Sequence, residues 1–296
     1  MEINPVEAKH GRVFQQILVI CREMLQYLSL VMLGWMILAI MIMNCFNVLA
    51  YSRMPLFDPL PDIINRHWSS FALLRASKGF MHLQPADIAS VVLTIASVAL
   101  CIWSWETVNV RKAVAIYCIS LHIRTILFTV TSVPPPCNGF PNCPCASIPF
   151  RELVRKFGVI RIVLKYCISI GMLSNVIPQC GDLMMSGHTT YLWVVCLFIL
   201  DSLKPILEKK EFELFSISLQ LLLFIISITI VLIRNHYSMD VLIAIVIVKL
   251  LWRVYTTHQA LLEHEKQGMS DSLLEHMFYW IETKPQDREN DREKTI

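Results

Sequence analysis

Two short polar stretches carry the residue types that could do chemistry. The first is CGDLMMSGHT, Cys180–Thr189, and the second is RNHYSMD, Arg234–Asp240. His236 and Asp240 stand four residues apart, which on a helix puts them on one face about one turn apart. That spacing lets the carboxylate accept one imidazole N–H, fix the tautomer and leave the second ring nitrogen free. With His188 as a second imidazole, the set contains a nucleophile, its orienting carboxylate and a proton donor. Those parts suit phosphoryl transfer through a phosphohistidine: His236 attacks phosphorus, Asp240 supports the imidazolium, and His188 protonates the departing oxygen. Two histidines and one aspartate could also hold a metal, but no further ligand lies at metal-like spacing. No metal or cofactor is expected.

The elements that must position these residues are membrane helices. Of the 296 residues, 55% are hydrophobic and 17% charged, where a soluble domain carries about a quarter charged. Mean hydropathy is +0.54, and the apolar residues come in blocks. A net charge of +3 gives no basis for a nucleic-acid partner. The N-terminus lacks the short apolar core of a cleavable signal peptide. About 20 apolar residues cross a bilayer, and six such segments are expected, at about 29–50, 88–105, 113–133, 183–200, 215–233 and 236–255. The expected fold is all-α, a polytopic six-span bundle. It divides into a cytosolic segment (1–27), a catalytic membrane domain (28–256) and a cytosolic tail (257–296) that is charged towards its end.

Basic residues in the short connections, Arg111, Lys112, Lys204, Lys209 and Lys210, favour both termini in the cytosol. His188 and His236 then open even-numbered spans at the same level on the lumenal or extracellular face. Ionisable groups at membrane depth are functional suspects by default. Arg124, embedded in the third span, reads as a cation for a lipid phosphate or as a helix-packing residue. Asp62 reads as a headgroup contact or a helix cap. Asp182 reads as the cap of the fourth span. The stretch RELVRKFGVIRIVLKYCISI mixes basic and apolar residues at helical spacing and reads as an amphipathic interfacial helix. A seventh span is the competing reading, interrupted by Arg161 and Lys165. Cys137, Cys143, Cys145 and Cys180 fall in an outer loop, where an oxidising compartment allows one or two disulfides. The other six cysteines read as membrane-embedded or cytosolic, and the Met-rich first span as lipid-facing filler.

Together the two histidine stretches resemble the paired signature of the sphingomyelin synthase family, a branch of the lipid phosphatase and phosphotransferase superfamily. Pro59-Leu60-Pro61-Asp62, IRTILFTVTSVPPP (Ile123–Pro136) and the tail stretch THQALLEHEKQGMSDSLLEHMFYW look similar too, so the resemblance covers about Leu56 to Trp280. It implies catalysis by His188, His236 and Asp240, supported by Cys180, Gly181, Asp182, Ser186, Gly187 and Tyr237, with Arg124 and Asp62 on substrate. The implied reaction moves phosphocholine, or phosphoethanolamine in relatives, from a glycerophospholipid to ceramide and releases diacylglycerol. The implied partners are those membrane lipids. Golgi and plasma membrane both fit the topology, and the pattern allows a homo-oligomer. The alternative is a lipid phosphate phosphatase or phospholipase C-like hydrolase using the same triad. Lipid phosphate phosphatases usually carry a KxxxxxxRP stretch and an arginine six residues before the last histidine; here position 230 is Ile.

Overall fold

A computed structural model describes residues 30–55, 58–62, 64, 85–104, 107–137, 150–168 and 183–264. Within them the chain is all helical: α1 (Leu30–Ser52), α2 (Pro85–Ser104), α3 (Thr107–Val130), α4 (Phe150–Phe157), α5 (Val159–Ile168), α6 (Gly187–Leu203), α7 (Lys209–Leu232) and α8 (Ser238–His264). Four of these, α1, α2, α3 and α7, are long and apolar enough to cross a membrane, which makes this a multi-pass membrane protein. The six expected spans coincide with α1, α2, α3, α6, α7 and α8, but α6 is a shorter apolar helix of 17 residues and α8 carries Lys249 and Arg253.

Packing explains the short helix. α6 touches α2, α3, α7 and α8 and buries Leu192, Trp193, Cys196, Phe198 and Ile199 in the main core. A central helix surrounded by protein need not span the bilayer alone. Non-helical backbone at that depth is tolerated where protein buries it. The residues leading into α6 meet that condition, since Leu183, Met185 and Ser186 are all buried. On the outside, Val31, Ile95, Ile126 and Leu214 are more than half exposed, as expected of side chains that meet lipid.

The first span corrects one expectation. It is not only lipid-facing filler, because its other face packs on α3 and buries Asn44 and Asn47. On that helix Trp35 Nε1 donates to His122 Nε2 of α3 at 3.1 Å. Averaged hydropathy hides two asparagines in so apolar a segment. The amphipathic stretch is also corrected: it forms two helices of 8 and 10 residues, broken at Gly158, whose φ of 72° is left-handed and favours glycine. Each is too short to cross a bilayer. Ile162 of α5 packs on Val48 and Tyr51 of α1, with Phe150 and Val154 of α4 against the same cluster.

At the far end from the histidines, Lys112 is buried and bonds Asp201 Oδ2 at 2.7 Å. Trp252 Nε1 donates to the same oxygen at 3.0 Å, and Lys112 also donates to Thr256 Oγ1 at 3.0 Å. This cluster ties α3, α6 and α8 together. Cys137 is disulfide-bonded, while Cys45, Cys101, Cys118 and Cys196 are free. Cys143, Cys145 and Cys180 lie outside the described residues.

Candidate active site

His188 is the second residue of α6. Ser186 caps that helix, its Oγ accepting from the Thr189 N–H at 3.4 Å, as hydroxyl side chains do at helix starts. α6 therefore begins four residues later than the fourth expected span. Ser186 occupies the cap position that was expected for Asp182; Asp182, Cys180 and Gly181 lie outside the described residues. The helix cannot begin earlier because Met185 has φ 63°, a left-handed conformation that costs a side-chain-bearing residue about 1–2 kcal/mol.

His236 lies in the turn between α7 and α8. α7 ends with Arg234 at φ 59°, the Arg234 N–H on the Val231 carbonyl and the Asn235 N–H on the Ile230 carbonyl. This is a Schellman ending, with arginine at the position where glycine is usual. Each histidine thus follows, within three residues, a strained non-glycine turn. Such outliers persist only where the surroundings over-determine them, and they cluster at functional sites.

Asp240 occupies the third position of α8, and its Oδ2 accepts the Tyr237 N–H at 2.9 Å. This reach back to the residue before the helix is half of a capping box. The other half comes from elsewhere in the chain: Asp62 Oδ2 accepts both the Ser238 N–H and its hydroxyl at 2.7 Å. Asp62 Oδ1 takes the Ile64 N–H at 3.0 Å. Its carboxylate therefore caps α8 across the fold. Tyr237 adds a second tie, its hydroxyl donating to the Pro134 carbonyl at 2.8 Å and accepting from the Leu60 N–H at 3.1 Å. The loop after α1, the end of α3 and the start of α8 are thereby fixed around His236.

The two histidine stretches meet through the main chain. The Ser186 N–H donates to the Asp240 carbonyl at 3.1 Å, so the residue two before His188 is bonded to the residue four after His236. His236 Nδ1 stands 3.4 Å from Asp240 Oδ2. That is an electrostatic contact rather than a hydrogen bond, and Nδ1 has no hydrogen-bond partner. Catalytic hydrogen bonds are often long before substrate binds and tighten afterwards. His236 is buried and Asp240 almost wholly so, whereas His188 keeps 27% of its side chain accessible.

Sequence reading missed the partner of His188. Its Nε2 lies 3.0 Å from Oδ1 of Asp87 in α2. α2 opens with Pro85 and carries Asp87 in its first turn, which reads locally as an ordinary helix start. The bond between Thr94 Oγ1 and the Tyr191 hydroxyl, 2.6 Å long, holds α2 along α6 below that pair.

Arg124 of α3 is buried beside the same helix start. Its Nε donates to the Met185 carbonyl at 2.8 Å, and its Nη1 approaches Met43 Sδ of α1 at 3.1 Å. Gly187 is required by this approach: a Cβ there would lie 3.0 Å from Cζ and Nη1 of Arg124. The guanidinium is thus packed over the residue preceding His188. Met43, like Asp87, carried no signal in the sequence, being one of several methionines in an apolar run. Among the described residues no group of three His, Cys, Asp or Glu side chains converges as a metal set.

These features place two imidazole–carboxylate pairs and a buried arginine at one end of a helical membrane bundle. Residues 179–257 match the PAP2 superfamily C-terminal family. Members of that superfamily are enzymes acting on phosphate groups, so the match supports a lipid phosphatase or phosphotransferase. The PAP2 segment contains α6, α7, the first 20 of the 27 residues of α8 and both histidines, while Asp62, Asp87 and Arg124 reach it from outside. No curated protein matches the chain.

Proposed function

We propose that this protein transfers the headgroup of a glycerophospholipid, phosphocholine or phosphoethanolamine, to the primary hydroxyl of ceramide. The observation that carries this reading is the main-chain bond from Ser186 to Asp240, which brings the two histidine stretches to one mouth. His236 attacks phosphorus through Nε2, the nitrogen turned away from Asp240, and the bond from phosphorus to the diacylglycerol oxygen breaks. His188 gives its proton to that oxygen. The ceramide hydroxyl then yields its proton to His188 and attacks phosphorus, and the phosphorus–nitrogen bond breaks. Asp240 and Asp87 orient the two rings and stabilise their charged forms. Arg124, with its fork of donors, suits the phosphate; for Asp62 a headgroup contact would have to coexist with its capping bonds.

In this reading the six spans and the mouth form a membrane domain over 28–256, with both termini cytosolic. The mouth faces the lumen or exterior, in the Golgi or the plasma membrane. Membrane lipids are the partners, no cofactor takes part, and a homo-oligomer is compatible with the arrangement. A hydrolase is the second reading, favoured by the accessible His188 side chain, since water could take the place of the ceramide hydroxyl.

The test is a product assay on purified protein in liposomes. Fluorescent ceramide is supplied with phosphatidylcholine or phosphatidylethanolamine, and His236→Ala is run beside the wild type. A headgroup-bearing ceramide that disappears in the variant supports transfer and names the donor. Diacylglycerol released equally without ceramide moves the protein to the hydrolase reading.

A further inference from the structure

We propose that α4 and α5 form a phospholipid-binding surface in the headgroup layer of the leaflet at the histidine end, with Ile160 and Leu164 among the acyl chains and Arg155 and Arg161 on lipid phosphates. This surface is separate from the histidine site and does not rest on the transfer reading.

Helix geometry gives the first argument. Ile160 and Leu164 are four residues apart and share a stripe, while Ile162 between them faces the opposite way. Ile162 is fully buried on Val48 and Tyr51 of α1. Ile160 and Leu164 are 77% and 53% exposed. α5 is therefore apolar on both sides, docked by one and uncovered on the other. Removing such side chains from water is favourable, so the outer stripe favours an apolar neighbour.

Depth along the membrane gives the second. The docking residues Val48 and Tyr51 lie within the last five residues of the candidate span Val31–Ser52, where hydrocarbon gives way to headgroups. Phe46 and Leu49 on the same stretch of α1 are exposed, so the lipid-facing surface of α1 runs on to α5. Met43, further into that span, touches Arg124, and Arg124 binds the Met185 carbonyl at the start of α6. The surface thus lies at the same end as the histidines.

Charge identifies the occupant. Arg155 and Arg161 are exposed on either side of the Gly158 break. Guanidinium groups pair with phosphate through two parallel bonds, and basic residues flanking an apolar stripe are the pattern of an interfacial helix. A phospholipid leaflet supplies both partners at once, whereas a second copy of this chain would leave the arginines needing carboxylates.

Photo-crosslinking of the full chain in phosphatidylcholine vesicles, with and without phosphatidylglycerol, tests this. The photoreactive residue p-benzoyl-phenylalanine replaces Ile160, Leu164 or, as a control, exposed Asp58 in the loop after α1, and adducts are read by mass spectrometry. Lipid adducts at positions 160 and 164 well above those at 58 are expected. Arg155→Ala with Arg161→Ala should cut the adduct yield in phosphatidylglycerol vesicles by roughly fivefold per arginine. Crosslinks between two copies of the chain, or yields at 160 no higher than at 58, overturn the surface. Lipid adducts that are indifferent to the arginine changes overturn the phosphate contact. The readout needs no enzymatic activity, so it stands or falls apart from the transferase assay.

Discussion

Asp87 Oδ1 lies 3.0 Å from His188 Nε2, so the imidazole of α6 is held by a carboxylate from the first turn of α2. The pair joins two helices, whereas Asp240 of α8 faces His236 in the turn just before it, at 3.4 Å. It also brings α2 to the histidine site, which its sequence does not advertise.

Asp87→Asn keeps the shape and removes the carboxylate that faces the His188 ring. If the protein is the proposed transferase, turnover of ceramide should fall about 100-fold, within the span attributed to general acid–base catalysis, with KM little changed. Because the two residues act as a unit, His188→Ala combined with Asp87→Asn should be hardly slower than His188→Ala alone. Additive losses would show that Asp87 acts on something other than the ring.

Asp240 has two duties, since the same Oδ2 faces His236 and takes the Tyr237 N–H. Asp240→Asn keeps an oxygen for the cap but not the charge, and Asp240→Ala removes both. Both variants should be nearly inactive. Only the alanine should lower the thermal midpoint appreciably, by the equivalent of about 1 kcal/mol for a lost cap. A stability loss of equal size in both would mean that the capping bond depends on the charge.

Gly187→Ala places a methyl group 3.0 Å from the Arg124 guanidinium. The arginine must shift, and headgroup transfer should drop at least tenfold. In an Arg124→Ala background the same change meets open space and should cost little further. Equal losses in the two backgrounds would locate the damage in α6 instead.

The ion pair of Lys112 and Asp201 sits at the other end of the bundle. Breaking a buried pair by removing one partner costs roughly 3 kcal/mol, and the partly exposed Asp201 side chain brings the figure to the lower side. Lys112→Ala should therefore lower thermal stability in detergent clearly. The double replacement Lys112→Met and Asp201→Leu should recover most of it. A double variant no better than the single one would make the Thr256 and Trp252 bonds the more important ties.

Asp62 separates a cap from a ligand. Asp62→Asn retains one acceptor oxygen, for either the Ser238 or the Ile64 N–H but not both, and should lower stability by about 1 kcal/mol. If the carboxylate also meets a cationic headgroup, KM for phosphatidylcholine rises severalfold. An unchanged KM leaves Asp62 as a cap alone.

Much of this was legible in the sequence because it depends on local spacing. The apolar blocks marked the positions of six helices; counting four residues put His236 near Asp240, although His236 stands in the turn before α8 and not on the helix face that the spacing implied. Ser186 was visible as part of the SGH stretch, though its capping role became clear only once Met185 was seen to turn left-handed. What escaped depends on contacts between distant segments. Asp87 is unremarkable in its own helix, Met43 is one methionine among several, and Asp62 caps a helix 176 positions away. Nothing in the first span distinguishes the face carrying Asn44 and Asn47 from the lipid-facing one except a partner helix, and hydropathy averages over both.

The bond between Ser186 and Asp240 joins backbone atoms. Replacing either side chain leaves its donor and acceptor in place; at position 186 only proline lacks the N–H altogether. The registration of the two histidine stretches is therefore shielded from ordinary point substitution. In the proposed transferase, side chains around the histidines could then change towards new headgroups or new acceptors without disturbing that registration. A scan of all replacements at position 186 should single out proline, whereas positions 43, 62 and 124 should divide by substrate. For an engineer, that makes this mouth a place where selectivity can be rewritten one residue at a time.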